Sequence, residues 1–202
     1  MLDGLMRQVI DPPLAVMGRF AARRGVSADQ VTIAGLVFGL GAALAVVAEA
    51  DGLALILLLA GRLCDGLDGA VAGATRRTDR GGFLDIVCDF IFYGAFPLAF
   101  ALRDPEANAL AACVLLFTFY VNGATFLAYA AVAARRGLET ASRGVKSLYF
   151  TAGLAEGSET IIAFVLMALL PGWFAQIACA FAAMVALTAA GRAIIAWKTF
   201  PD

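Results

Sequence analysis

An all-α membrane protein is the architecture expected of this chain, with six transmembrane helices preceded by an N-terminal amphipathic interfacial helix. Three observations lead there. The chain is 62% hydrophobic with a mean hydropathy of +0.86, which sets it apart from water-soluble proteins. Uncharged windows long enough to span a bilayer recur at 31–48, 107–134 and 160–191, the last divided by Pro171-Gly172 into a hairpin. Basic residues gather on alternate loops.

Residues 1–25 come first. Early acids, the Pro12-Pro13 pair and late arginines, with no long apolar run, exclude a cleavable signal peptide and fit an interfacial segment. Six helices are then expected over 29–49, 53–75, 82–102, 107–134, 147–170 and 173–197, making a bundle over 29–197. Ser27, in the entry GVSADQVT, is placed to cap the first of them. Gly35 and Gly39 form a GxxxG pair, suited to close helix packing or to a dimer face. The length of 202 residues predicts one domain over 1–202.

Charge placement orients the bundle. Arg7, Arg19, Arg23 and Arg24 precede the first helix, Arg76, Arg77 and Arg80 follow the second, Arg135, Arg136, Arg143 and Lys146 follow the fourth, and Lys198 follows the last. All fall on one side if both termini are cytoplasmic, as the positive-inside rule expects. The net charge of −1 gives no case for a nucleic-acid partner. Cys64, Cys88, Cys113 and Cys179 are scattered through apolar segments, as buried small hydrophobes rather than disulfides or a zinc site. There is no histidine, so any catalysis rests on carboxylates, Arg, Lys or metal.

The chemistry concentrates in RLCDGLDGAVAGATRRTDRGGFLDIVCDF, residues 62–90. Asp65 and Asp68 are three apart near the end of the second helix, and Asp85 and Asp89 are four apart near the start of the third. Each pair shares a helical face. Folding the two helices together clusters all four carboxylates near one membrane boundary. A carboxylate at the centre of a membrane helix costs roughly 2.5–3.5 kcal/mol on insertion, less near the ends. Solvated helix ends or ion pairs are the bland alternative, but Arg62 is the only cation inside the helix pair. Cations from outside are therefore expected, and oxygen-only ligands suit Mg²⁺, Mn²⁺ or Ca²⁺. Gly69, Ala72, Gly73 and Ala74 follow the first acid pair and Gly81 and Gly82 precede the second, clearing space for a bulky ligand.

The pattern D65-GL-D68-G69-AV-A72 followed by G81-GFL-D85-IVC-D89 resembles the signature of the CDP-alcohol phosphatidyltransferases, integral membrane enzymes of phospholipid synthesis. The six-helix layout and the GVSADQVT entry extend the resemblance over most of the chain. It implies transfer of a phosphatidyl group from a CDP-alcohol, usually CDP-diacylglycerol, to the hydroxyl of a small polar alcohol, releasing CMP. It further implies two Mg²⁺ or Mn²⁺ ions held by Asp65, Asp68 and Asp85 with Asp89 close to one. Asp89 would be the general base, and Gly69, Ala72 and Gly81 would line the cytidine pocket. A homodimer in a bacterial inner membrane, among membrane lipids and with its active site cytoplasmic, follows from the same likeness. Two features depart from the pattern: Gly73 stands where the family usually has arginine, and residues 74–80 make a spacer of seven where eight is common. A catalytically impaired member and, from the acids alone, a divalent-cation transporter stay open as alternatives.

For the acceptor, Arg192 inside the last helix, with Arg143 and Lys146 before the fifth, is suited to holding a phosphate. Topology and pairing are their alternative roles. Glu156 and Glu159, placed within the fifth helix, are suited to pairing with Arg192, ligating metal or receiving an amino-alcohol.

Overall fold

The computed structural model describes residues 3–137 and 154–200. The described residues form helices α1 (Asp3–Arg23), α2 (Ala28–Val47), α3 (Asp51–Ala74), α4 (Asp79–Arg103), α5 (Pro105–Arg135), α6 (Gly157–Leu169) and α7 (Phe174–Thr199), with no strand among them. Among the described residues, four segments are long and apolar enough to cross a membrane: Ala28–Val47, Asp79–Arg103, Pro105–Arg135 and Pro171–Thr199. α3 is long enough at 24 residues but carries Asp51, Arg62, Asp65 and Asp68. α6 is apolar but has only 13 residues. The expected set of six helices after the first is thus present, while length and composition alone qualify four of them as spans.

Local chemistry places the boundaries. Ser27 caps α2 as expected: its hydroxyl accepts from the Gln30 amide at 3.2 Å, and Gln30 Oε1 accepts from the Ser27 amide at 2.9 Å. Thr78 caps α4 by accepting from the Gly81 amide at 3.0 Å, so that helix begins at Asp79 rather than residue 82. Asp104 caps α5 by accepting from the Ala107 amide at 3.1 Å, with Pro105 at the first helical position. The Pro171–Trp173 stretch is a 3₁₀ turn between α6 and α7.

The fifth helix requires a correction. It was expected over 147–170, yet residues 154–156 are non-helical and α6 starts at Gly157. Glu156 is its N-cap, and Glu159 reaches back to accept from the Glu156 amide at 3.2 Å. This reciprocal cap satisfies backbone donors that would otherwise be orphaned, and carboxylates favour a helix N-terminus. Both glutamates therefore serve the helix start, Glu156 just outside α6 and Glu159 in its first turn.

Phe92, Phe96 and Phe100, spaced by four on one face of α4, organise the core. Phe164 of α6 stacks on Phe96 at 4.8 Å, and Phe174 of α7 stacks on Phe100 at 4.4 Å. α2 meets α3 through small residues. A Cβ on Gly35 would lie 3.3 Å from the Gly61 carbonyl oxygen, and one on Gly39 would lie 2.7 Å from the Phe92 ring. The GxxxG pair is therefore spent on packing inside this chain, and both glycines are buried. α1 lies against α3, with Gly18 on Ala70 and the buried Leu14 on Gly66. Two ion pairs tie opposite ends of the bundle. Asp29 and Arg80 join the starts of α2 and α4 at 3.0 Å, and Arg103 engages both carboxylate oxygens of Asp51 at the far end.

Candidate active site

The last turns of α3 and the first turns of α4 are adjacent because four residues, 75–78, connect them. Three-residue spacing on α3 and four-residue spacing on α4 then aim the acids at each other. Carboxylate oxygens of Asp65, Asp85 and Asp89 lie within 4.8 Å of one another. Oxygen ligands 2.0–2.6 Å from a common Mg²⁺ or Ca²⁺ can be at most about 4–5 Å apart, so the trio fits a divalent ion. Asp68 is the buried member, and its Oδ2 accepts from the Thr32 hydroxyl of α2 at 2.6 Å. All four acids line one cleft, together with Thr32, Gly35, Leu36, Arg62 and Cys88.

Arg62 enters this cluster from α3. Its Nη1 is 3.0 Å from Asp89 Oδ1 and 3.6 Å from Asp65 Oδ2. The guanidinium carbon lies 4.5 Å from the centre of the Phe92 ring, and the side chain is 9% exposed. The acids are thus not wholly without an internal cation, as the sequence had suggested they nearly were. One guanidinium still leaves three of four carboxylate charges without a counter-charge inside the cleft, so the site retains room and charge for divalent ions.

The small residues differ in what surrounds them. A Cβ on Gly69 or Gly73 would meet nothing within 4 Å, so backbone is open to a ligand at both positions. At Gly81 a Cβ would come within 3.0 Å of the Thr78 hydroxyl and 3.4 Å of Asp29, so the α4 cap itself demands a small residue there. Ala72 is half-buried on the same last turns of α3.

A family model described as CDP-alcohol phosphatidyltransferase matches residues 26–195, a span containing all four carboxylates and the helices that hold them. The chain belongs to the CDP-alcohol phosphatidyltransferase family. It is accordingly an enzyme of that class and of phospholipid synthesis, with membrane-helix character. The inner membrane protein YnjF of Escherichia coli (strain K12) is 43% identical over 191 residues, covering 93% of this chain and 91% of that protein. The archaetidylinositol phosphate synthase of Pyrococcus horikoshii is 36% identical over 85 residues, 42% of this chain and 45% of that one. In fold, the chain is similar to Mycobacterium tuberculosis phosphatidylinositol phosphate synthase (PgsA1) with CDP-DAG bound, at a TM-score of 0.72 and 22% identity, covering 91% of this chain and 93% of that one. The complex of that synthase with manganese and citrate gives the same TM-score and identity, covering 91% and 88%. A divalent metal cofactor is thus in keeping with the family as well as with the carboxylates.

The expected acceptor residues are not gathered in the same way. Arg192, on α7, donates through Nη1 to the Asn122 carbonyl at 3.2 Å and to Asn122 Oδ1 at 2.8 Å, and it lies 5.5 Å from the Phe126 ring. Glu156 and Glu159 form the α6 cap, and Arg143 and Lys146 lie outside the described residues. Thr32 and Asn122 were not singled out from sequence. Thr32 had a readable signal, since it lies three and seven residues before Gly35 and Gly39 and so shares the face of α2 that meets α3. Asn122 had none, because its partner is 70 residues away.

Proposed function

We propose that this phosphatidyltransferase passes a phosphatidyl group from CDP-diacylglycerol to the hydroxyl of a polar, phosphorylated alcohol and releases CMP. The observation that carries this reading is the Asp65–Asp85–Asp89 trio within 4.8 Å, with buried Asp68 in the same cleft and open backbone at Gly69 beside it. Asp65, Asp68, Asp85 and Asp89 would hold two Mg²⁺ or Mn²⁺ ions. Bound there, such ions neutralise charge building on the pyrophosphate and on the departing CMP.

The remaining steps belong to the chain's own residues. Asp89 takes the proton of the acceptor hydroxyl, whose oxygen forms a new bond to the donor's lipid-bearing phosphorus as the bond from that phosphorus to CMP breaks. Gly69 and Ala72 on α3 and Gly81 on α4 border the space for the cytidine. Arg192, held by Asn122 and assisted by Arg143 and Lys146, binds the acceptor's phosphate. The names of two relatives, both synthases of inositol phosphate lipids, favour an acceptor of that charge type.

The setting proposed is a bacterial inner membrane spanned by all six helices α2–α7, as a homodimer, with both termini and the cleft cytoplasmic. The name of the Escherichia coli relative supports the inner membrane, and the arginines at 76, 77, 80, 135 and 136 support the cytoplasmic side. α1 is read as interfacial because Ile10, Val16, Met17 and Phe20 are exposed while Leu14 is buried.

Gly73 favours one second reading, a member impaired by the missing arginine. Transport is disfavoured, since the motif acids converge on one cleft instead of recurring along the bundle. CMP release decides among these. Purified protein with Mg²⁺ and CDP-diacylglycerol is tested against glycerol 3-phosphate, inositol phosphate, inositol, serine, choline and no acceptor. Release with one phosphorylated acceptor is expected; silence across the panel with metal-dependent donor binding intact would mean an acceptor outside the panel or a site disabled by Gly73, and activity restored by Gly73→Arg would establish the second.

A further inference from the structure

Among the residues that line the cleft, Arg62 is the one charged group to which neither the motif nor the reaction assigns a task. Its side chain is nine-tenths buried, its Nη1 sits between Asp89 and Asp65, its face lies over Phe92, and its buried Nε has no partner. A guanidinium desolvated to this degree is retained only against strong compensation, and here two carboxylates and a ring supply it. Breaking such a buried pair from one side leaves an uncompensated charge, so Arg62 and the two acids are mutually dependent.

We propose that Arg62 is the resident cation of the carboxylate cluster. It is a positioning residue that holds Asp89 and Asp65 in the geometry for divalent ions and restrains how tightly those ions bind before the donor arrives. This inference rests on the metal reading above. The charge balance explains why restraint is useful. With all four acids ionised, Arg62 leaves three negative charges; a first divalent ion leaves one, and a second reverses the sign. The surplus positive charge is then matched by the anionic phosphates of the donor, which couples full metal loading to donor binding. Arg62 also holds one oxygen of Asp89 at 3.0 Å, which restrains that carboxylate from swinging freely.

The test is a Mn²⁺ titration of the purified protein without donor, read by electron paramagnetic resonance, alongside thermal unfolding with and without Mn²⁺. Arg62→Gln is expected to bind Mn²⁺ about tenfold tighter than the unaltered protein, because a repelling charge is gone. Its unfolding temperature falls without Mn²⁺, and Mn²⁺ raises it by more than in the unaltered protein, since the ion then does the work of the guanidinium. Its kcat falls about tenfold or more as Asp89 loses its anchor. Arg62→Lys keeps the charge but not the fork, and is expected to stay within about threefold of the unaltered Mn²⁺ affinity. Unchanged or weaker Mn²⁺ binding by Arg62→Gln overturns the inference while leaving the metal reading intact. Failure of the unaltered protein to bind Mn²⁺ at all overturns both. If Arg62→Gln does not fold, Arg62→Lys decides: Mn²⁺ binding about tenfold tighter than unaltered would show that charge is not what restrains the ion.

Discussion

The Thr32 hydroxyl donates to Asp68 Oδ2 at 2.6 Å across 36 residues of sequence, joining the first turns of α2 to the last turns of α3. This bond does two things: it satisfies the buried carboxylate of the motif, and it ties α2, whose Gly35 and Leu36 line the cleft, to the helix that carries the acids. Replacing Thr32 by Val keeps the shape and removes the donor. The expected loss is about 1–3 kcal/mol of stability in metal-free protein, with Thr32→Ser close to unaltered. Thermal unfolding in detergent with excess chelator measures it, and equal unfolding of the Val and Ser variants would show the bond to be idle.

Asp89 is assigned the base, and Arg62 gives it an anchor that asparagine can partly keep, because an amide oxygen also accepts from Nη1. Asp89→Asn is expected to lower kcat by about 10²–10⁴-fold, the usual contribution of a general base. Donor binding, followed by equilibrium titration with CDP-diacylglycerol, should be little changed. Near-normal turnover in this variant removes Asp89 from the role.

Open space at Gly69 and Gly73 makes two substitutions informative in opposite directions. A Cβ at position 69 meets nothing in the protein itself, so Gly69→Ala should hold its unfolding temperature. If the donor fills that space, its KM rises by about tenfold or more, a loss in keeping with displaced close backbone contact. Gly73→Arg likewise has open space around its Cβ in the last turn of α3 and gains up to about 1 kcal/mol of helix propensity. Restoring the family's usual arginine should raise kcat/KM; an unchanged value would mean that Arg76 or Arg77 already supplies the charge.

Arg192 is fixed by Asn122 through two bonds from the same nitrogen, one to main chain and one to side chain. Arg192→Ala is expected to raise KM for a phosphorylated acceptor by about tenfold or more while leaving the donor's KM in place. Asn122→Ala, which frees the guanidinium without removing it, should give a smaller effect of the same kind. Steady-state kinetics with acceptor and donor varied separately measures both, and an effect on donor KM alone would move Arg192 out of the acceptor site.

Much of this protein was settled along the chain, where the deciding physics is local. Apolar windows forced helices, because a backbone away from water must bond within its own segment. Ser27 announced the α2 start, and acids spaced by three and four had to share helical faces that a four-residue turn then brings together. Tertiary structure decided whatever depended on partners distant in sequence. Arg62 counted from sequence as a single cation in the helix pair, yet only packing on Phe92 of α4 sets it between Asp65 and Asp89. Glu156 and Glu159 read as intramembrane acids, and the helix start at Gly157 turned them into its cap. Thr32 on Asp68 and Asn122 on Arg192 join residues 36 and 70 positions apart. Periodicity along a helix fixes which way a side chain faces, but not what the next helix places in front of it.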